Sequence, residues 1–243
     1  MRKVFIRTKN VKRFVSLMEE LKTLPNNMQK IALVFGDHGL GKSQTIQWWA
    51  DKNDSVYVRA VKGMSTRWLL SEIAEEIGKE AHWHSKETFE LIEDYLIKNQ
   101  KTIIIDEADY LVEKNSIETL RDLHDRTGCP MVIVGMGSID KKLSKYPHLC
   151  DRIYKSYRFE TFDIGDIREI IEQITDLKFS DSALEFISLR INQFRQLIKL
   201  INRIEKLSKT NDFEIVDEYV LKEILNERKS IKALQTTQQL LVG

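Results

Sequence analysis

The glycine-rich octapeptide Gly36-Asp37-His38-Gly39-Leu40-Gly41-Lys42-Ser43 constrains the fold of this chain more than any other sequence feature. It matches the pattern GxxxxGK[ST] at every fixed position; a strand-like apolar run, Ile31 to Phe35, precedes it and a stretch of helical period follows it. Glycines let backbone amides surround phosphate oxygens, and the amino terminus of a helix adds partial positive charge. The pattern therefore predicts a phosphate-binding loop; the alternative is a glycine-rich turn that contains a lysine by chance.

The residues of this loop have separate predicted tasks in nucleotide binding. Lys42 can reach the β and γ phosphates, and the Ser43 hydroxyl can bind Mg²⁺. The other predicted nucleotide contacts come from the loop and the first helical turn: Gly36, Asp37, His38, Gly39, Leu40, Gly41 and Gln44. ATP and Mg²⁺ are therefore the expected cofactors.

A second apolar run, Thr102 to Ile105, ends in the acidic pair Asp106 and Glu107. Asp106, at the end of the strand, would hold Mg²⁺, and Glu107 would act as the general base that polarises an attacking water. Carboxylates that cap a helix after a strand are common, so this motif alone is weak evidence for a catalytic site. The phosphate loop upstream makes it strong evidence. Together the two motifs predict hydrolysis of a nucleoside triphosphate.

Five apolar runs of strand length alternate with stretches of helical period. Three are β-branched and typical of strands buried on both faces, namely Ile31 to Phe35, Thr102 to Ile105 and Met131 to Val134. Two others, Ser55 to Val61 and Ile153 to Phe159, are more mixed. Because alternating strands and helices indicate a parallel sheet covered by helices, we predict an α/β fold with a parallel five-stranded sheet.

The pattern changes near residue 163. From there apolar residues recur three and four apart with no strand between the stretches, which are Ile164 to Ile174, Ser182 to Ile191, Phe194 to Leu207 and Val216 to Leu225. Asp163 can cap the first of these helices, and Ser180 or Asp181 the second. The predicted domains are a core over 1–162 with a basic amino-terminal arm, an all-helical lid over 163–228 and a weakly ordered tail over 229–243.

Charge and cysteine content narrow the classes of function. The 38 Lys and Arg against 37 Asp and Glu leave a net charge of +1, so a nucleic acid would have to be met by a local basic patch. Cys129 and Cys150 are too few for a disulfide framework and lack the spacing of a zinc site, so reduced structural thiols are expected. No apolar run suits a signal peptide or a membrane span, and we expect a cytoplasmic protein without membrane contact.

The order of these motifs resembles that of the AAA+ ATPases: a phosphate loop, an IIIDEAD strand, a VIVGMGS strand, an arginine-bearing segment and a helical lid. Within that superfamily the chain is similar to the short transposition regulators of the phage Mu B type, by its compact length and by the stretch VGMGSIDKKLSKYPHLCDRI. The resemblance covers Val11 to Leu207. It implies an AAA+ P-loop NTPase core with a small all-helical lid.

The resemblance also implies roles for particular residues. Arg152 matches the arginine finger that reaches the γ phosphate of a neighbouring subunit in a homo-oligomeric ring or helical filament; the alternative is a surface arginine beside a strand. Arg195 matches the sensor 2 arginine that touches the nucleotide, and the alternative is a solvated charge on a helix. The usual polar residue after the fourth strand is missing, with Ser138 as the candidate substitute. The segment Thr8 to Phe14 would run past the adenine.

The turn after the second strand is the candidate DNA contact, since the corresponding loop of similar AAA+ proteins faces the bore of the ring or filament. Lys62 and Arg67 could neutralise phosphates while Ser65 and Thr66 donate hydrogen bonds. Alternatively, Ser65 or Thr66 caps the next helix. In a second candidate loop, Trp83 is interpreted as a packing residue in preference to a base-stacking platform.

These observations favour an ATP-dependent DNA-binding regulator of DNA transposition. It would oligomerise on duplex DNA with ATP, recruit or stimulate a transposase, and be released by ATP hydrolysis. Weak sequence specificity is expected, because contacts to the DNA backbone carry little sequence information. The alternatives are a DNA replication initiator or helicase loader, and a nucleotide-switched protein adaptor without DNA contact.

Overall fold

A computed structural model describes residues 5–25, 27–211 and 213–225. The described chain divides into two compact units: the core unit, residues 9–160, and the helical unit, residues 5–8 with 161–225. The predicted tail, 229–243, lies outside the described residues, as do the first four residues of the basic arm. Within the described ranges, no helix is long and apolar enough to cross a membrane.

The core unit is built on a parallel sheet of five strands in the spatial order β2-β3-β4-β1-β5. Its strands are β1 (Ile31–Phe35), β2 (Val56–Arg59), β3 (Ile103–Asp106), β4 (Met131–Gly135) and β5 (Ile153–Arg158). Each lies where an apolar run predicts it, and only the ends differ by one or two residues. The predicted α/β fold is therefore confirmed.

Helices cover both faces of this sheet. They are α1 (Lys9–Thr23), α2 (Lys42–Lys52), α3 (Thr66–Glu76), α4 (Ser85–Asn99), α5 (Asp109–Glu113), α6 (Glu118–Thr127), α7 (Ile139–Leu143) and α8 (Pro147–Cys150). Alternate residues of a strand point to opposite faces, so Ile103 and Ile105 pack with Leu69 of α3, whereas Ile104 belongs to the cluster of Phe14 and Ile46. Burial on both faces explains why the central strands are continuously apolar.

The carboxyl ends of the parallel strands meet at one edge of the sheet, called the carboxyl edge below. The phosphate loop follows β1 there, and the turn of residues 60–65 follows β2. Arg59 of β2 is in register with Asp106 of β3, so these two strand ends are direct neighbours. Arg152 precedes β5 and therefore lies at the opposite, amino edge.

The helical unit contains α9 (Ile164–Ile174), α10 (Asp181–Ser188), α11 (Phe194–Asn211) and a further helical stretch over 218–225. Asp163 caps α9 and Ser180 caps α10, each accepting a hydrogen bond from a first-turn amide as predicted. The prediction that no strand interrupts this region is wrong, because β6 (Lys178–Phe179) pairs in parallel with β7 (Ile215–Val216). Strands of two residues are too short to produce an alternating pattern in the sequence.

Candidate nucleotide site and DNA loop

The phosphate loop joins β1 to α2 and requires glycine at both of its ends. Gly36 has a φ of 150°, and a Cβ atom there would lie 2.7 Å from the carbonyl oxygen of Phe159. Gly41 adopts the left-handed region with a φ of 88° and precedes α2, whose amino terminus has no side-chain cap. The amides of the first helical turn are therefore available to an anion, as the motif predicts.

Lys42, the first residue of α2, is held inside the loop. Its Nζ donates to the carbonyl oxygens of Gly36 and Asp37 at 2.6 and 2.8 Å. Burial lowers the pKa of Lys42, although the nearby carboxylates, Asp106 foremost, oppose this effect. Ser43 follows with an exposed hydroxyl that has no hydrogen-bond partner within the described part of the chain. A phosphate with bound Mg²⁺ fits this arrangement, because its oxygens would accept hydrogen bonds from Lys42 Nζ and the Mg²⁺ would take the Ser43 hydroxyl as a ligand.

Asp106 is buried at the end of β3, and both of its carboxylate oxygens accept hydrogen bonds. The backbone amide of Glu107 donates to Oδ1 at 2.9 Å, and the hydroxyl of Tyr57 on β2 donates to Oδ2 at 3.0 Å. Burial and the neighbouring Asp106 raise the pKa of Tyr57, so its hydroxyl remains a donor. These contacts fix the orientation of the carboxylate that the sequence predicts as the Mg²⁺ ligand.

Glu107 has an unusual backbone conformation and a charged partner. Its φ of 55° lies in the left-handed region, which is costly for a residue with a side chain. Its Oε1 accepts a hydrogen bond from Arg59 Nη2 at 2.6 Å, and the side chains are 34% and 62% exposed, respectively. Arg59 thus holds the carboxylate that is predicted to activate water.

The loop after β4 packs against the phosphate loop. A Cβ on Gly137 would lie 2.7 Å from Asp37 Oδ1, so the two loops approach closely at this glycine. Asp109 secures the region, since its carboxylate accepts from the amide of Met136 at 2.7 Å and from Lys142 Nζ at 2.8 Å. Ser138, the candidate for the polar residue expected after the fourth strand, is exposed at the start of α7.

Arg152 forms a two-point ion pair within its own chain. Its Nε and Nη2 each donate to a different carboxylate oxygen of Asp125 on α6, both at 3.1 Å. Hydrogen bonding to Asp125 raises the pKa of Arg152. Because Arg152 lies at the amino edge and the phosphate loop at the carboxyl edge, the length of a strand separates them. Arg195 is the second residue of α11 in the helical unit and is exposed.

The candidate DNA residues form an exposed basic surface between β2 and α3. Lys62, Ser65, Thr66 and Arg67 are all exposed. The Ser65 hydroxyl accepts from the amide of Trp68 at 3.3 Å, so it caps α3, as the alternative interpretation stated. Within the described ranges, neither the Lys62 ammonium nor the Arg67 guanidinium has an ion-pair partner. The prediction that Trp83 packs internally is wrong: its side chain is 76% exposed and lies against Arg67.

Sequence reasoning missed the side chains that hold the site residues: Tyr57, Arg59, Asp109, Asp125 and Lys142. A usable indication existed in the sequence only for Arg59 and Tyr57, because both belong to a predicted strand that could lie beside the strand of Asp106. The order of the strands in the sheet was needed to decide whether the two strands are neighbours. The basic arm is also less free than its charge run indicates, because residues 9–23 form α1 and Arg13 pairs with Glu160 at 2.9 Å.

Part of the chain is similar in sequence to known proteins. Residues 26–143 match the family model of the AAA domain. A potential ATP-binding protein of Staphylococcus aureus is 28% identical over 155 residues, which cover 60% of this chain and 55% of that protein. The Mu-like prophage FluMu DNA transposition protein B of Haemophilus influenzae is 26% identical over 165 residues, 64% of this chain and 57% of that protein. This chain thus spans a little over half the length of both relatives.

The fold also has a close structural counterpart. The ORC2 protein of Aeropyrum pernix, solved as ADPNP–ADP complexes, matches with a TM-score of 0.69 and 15% identity. The match covers 93% of this chain and 70% of that one. At this level of identity the likeness shows a shared fold.

Proposed function

We propose that this chain, an AAA+ P-loop NTPase by fold that resembles the Mu B-type transposition proteins, is an ATP-dependent DNA-binding regulator of DNA transposition. The observation that carries the proposal is a convergence at the carboxyl edge of the sheet. Lys42, Asp106 and Glu107 meet there, and the basic turn that contains Lys62 follows the neighbouring strand end. A nucleotide site and a DNA contact on one edge can influence each other.

ATP is the proposed nucleotide. The amides of the phosphate loop and of the first turn of α2, together with Lys42, would bind its phosphates, while Ser43 and Asp106 would hold Mg²⁺. Mg²⁺, when bound, would neutralise charge on the β and γ phosphates. The match to a potential ATP-binding protein supports this choice of nucleotide.

Hydrolysis would use Glu107 as the general base, which accepts a proton from the attacking water. In the conformation described here, Oε1 of Glu107 is engaged by Arg59. We expect the carboxylate to work fully only when it leaves Arg59. The turn with Lys62 begins directly after Arg59. We therefore expect DNA binding at that turn to move Arg59 and so release the general base, Glu107.

Arg152 would complete the site of a neighbouring subunit. It lies at the amino edge, a strand length from the phosphate loop of its own chain, so its guanidinium cannot serve that loop. A subunit packed with its amino edge towards the next carboxyl edge would bring Arg152 to the next γ phosphate, where a fixed guanidinium stabilises developing charge. Arg195 of α11 would contact the nucleotide as a sensor. The proposed assembly is therefore a homo-oligomeric ring or helical filament.

Duplex DNA is the proposed partner of the basic turn, with a transposase as the protein partner. Lys62 and Arg67 would contact phosphates, and Thr66 and the hydroxyl proton of Ser65 would add hydrogen bonds. The similarity to a DNA transposition protein B supports the link to transposition. Repeated backbone contacts along an assembly would give weak sequence specificity.

DNA binding by the whole chain with a slowly hydrolysed ATP analogue tests the proposal. The variant Lys62→Ala/Arg67→Ala removes two phosphate contacts, so we expect weaker binding and a log–log salt slope that is shallower by about 2. The control is Lys98→Ala/Lys145→Ala, which removes two exposed lysines outside the loop and should leave the slope unchanged. An equal slope in both variants would locate the DNA contact elsewhere.

Imaging by negative stain distinguishes the proposal from a nucleotide-switched protein adaptor. With the ATP analogue, the proposed regulator forms rings or filaments that duplex DNA lengthens or stabilises. Assemblies that are identical with and without DNA, together with an unchanged ATPase rate, would favour the adaptor.

A further inference from the structure

An exposed tryptophan and an arginine form a cation–π pair beside the basic turn. The guanidinium carbon of Arg67 lies 4.8 Å from the centre of the Trp83 ring, a distance typical of a cation–π contact. Trp83 is nevertheless 76% exposed, so most of its ring surface remains open to solvent. Large aromatic rings are seldom left this open, because their burial is strongly favourable.

The segments that carry the two residues are both anchored to the core unit. Met64 is buried, and its carbonyl oxygen accepts a hydrogen bond from Ser116 at 3.1 Å. The amide of His82, next to Trp83, donates to the buried Thr88 hydroxyl at 2.9 Å. The exposed Trp83 therefore belongs to a loop whose backbone is anchored to the core unit.

Arg67 supplies a positive charge beside the Trp83 ring. On α3, which carries Arg67, the acidic residue closest to it in sequence is Glu72. The carboxylate of Glu72 accepts a hydrogen bond from Trp68 Nε1 at 2.8 Å. Arg67 lies at a cation–π distance from the Trp83 ring, and within the described ranges its guanidinium has no ion-pair partner, so its N–H groups are available to a phosphate. An open ring beside a cation matches the chemistry of a nucleotide, which offers a flat base and an attached phosphate.

We propose that the Arg67–Trp83 pair binds a DNA base that has left the stack, so that this protein prefers kinked or partly unpaired DNA to regular duplex. The inference rests on the proposed DNA-binding function and deepens it. In a regular duplex both faces of each base are covered by neighbours, so the ring of Trp83 can stack only where a base is displaced. Trp83 then covers the base while Arg67 binds the adjoining phosphate.

The test compares two fluorescein-labelled duplexes of equal length, one fully paired and one with a short bulge of unpaired bases. Anisotropy titrations of the whole chain with the slowly hydrolysed ATP analogue give both affinities. We expect tighter binding of the bulged duplex by about 5- to 150-fold, the range for stacking of one base on an aromatic ring. Trp83→Ala should abolish this preference and leave affinity for the paired duplex within about twofold.

Two further variants and an optical signal separate stacking from a structural effect. Trp83→Phe keeps an aromatic face and should retain most of the preference, and Arg67→Lys should weaken both affinities together. Quenching of tryptophan fluorescence by the bulged duplex should be stronger in the native chain than in Trp83→Phe, which keeps the other three tryptophans. Because Trp83 is so exposed, these changes remove little packing, and a thermal melt verifies that the variants are folded.

The outcomes distinguish this inference from the proposed function. Equal affinity for the two duplexes, or a preference that persists in Trp83→Ala, would overturn the stacking site and leave DNA binding intact. If neither duplex binds at low ionic strength, both the proposed function and the stacking site are refuted.

Discussion

The ion pair between Arg59 and Glu107 makes a specific prediction about basal hydrolysis. Arg59 Nη2 donates to Glu107 Oε1 at 2.6 Å, and this contact holds the proposed general base. Arg59→Ala removes the contact and leaves Glu107 free. Since Glu107 would then be available to water in every molecule, we expect the ATPase rate without DNA to rise.

The size of the increase follows from the exposure of the pair. The side chains of Arg59 and Glu107 are 62% and 34% exposed, so solvent screens their attraction. Exposed pairs of this kind are worth about 0.2–1 kcal/mol, which leaves Glu107 unpaired in about 15–40% of molecules. Full release therefore raises the basal rate by about two- to sixfold. High salt should raise the rate of the native chain in the same direction.

Steady-state phosphate release without DNA measures this effect. Arg168→Ala is the matched control, because Arg168 also makes an exposed 2.6 Å ion pair, with Asp181 in the helical unit. The double variant Arg59→Ala/Glu107→Gln should show no increase over Glu107→Gln. An unchanged or lower rate in Arg59→Ala, or an increase that persists with Gln at position 107, would refute the reasoning.

Three other predictions concern the subunit interface, the metal site and pH. Arg152→Ala subunits and Glu107→Gln subunits should each be poorly active alone. Mixtures of the two should regain activity, because at some interfaces a native Arg152 meets a native Glu107. No recovery at any mixing ratio would argue against action of Arg152 in trans. Tyr57→Phe keeps the ring but removes the hydrogen bond to Asp106, so the Mg²⁺ concentration for half-maximal ATPase activity should rise about tenfold, whereas Tyr154→Phe, which loses a bond to Glu20, should not change it. Burial lowers the pKa of His124 below 6.5, its ordinary value. The folded state therefore favours the neutral ring, so urea-unfolding free energy should be fully retained above pH 6.5 and fall as the solution is acidified below it, by at most about 1.4 kcal/mol per pH unit. The variant His124→Gln should have a flatter profile, and identical profiles would exclude His124 as the cause.

The strands of the core unit could be predicted closely because their signal is local. Ile31–Phe35 and Met131–Gly135 are buried on both faces, and burial on both faces requires apolar residues at consecutive positions. The caps of α9 and α10 were predictable for a similar reason, since Asp163 and Ser180 bond to amides only three residues away. The strand pair β6–β7 was not, because its two-residue members lie far apart in the chain.

Trp83 illustrates the limit of reasoning from residue type. Most tryptophans are substantially buried, so packing was the favoured interpretation. Whether a ring finds a packing partner depends on the elements that surround it, and here the loop before α4 presents Trp83 to solvent and to Arg67. The residues around Trp83 in the sequence do not predict that arrangement.

The sequence by itself determined the phosphate loop, the Asp106–Glu107 strand end and the alternation that produces a parallel α/β sheet, because glycine conformation, helix capping and two-sided burial act over a few consecutive residues. Only the tertiary structure decided what holds these groups. Arg59 meets Glu107 and Tyr57 meets Asp106 because β2 and β3 are neighbours in the sheet order. Arg152 precedes β5 and lies at the amino edge, whereas its own phosphate loop lies at the carboxyl edge, so the length of a strand separates them. Such pairings depend on which strands and loops become adjacent, and that adjacency is a property of the whole packed core.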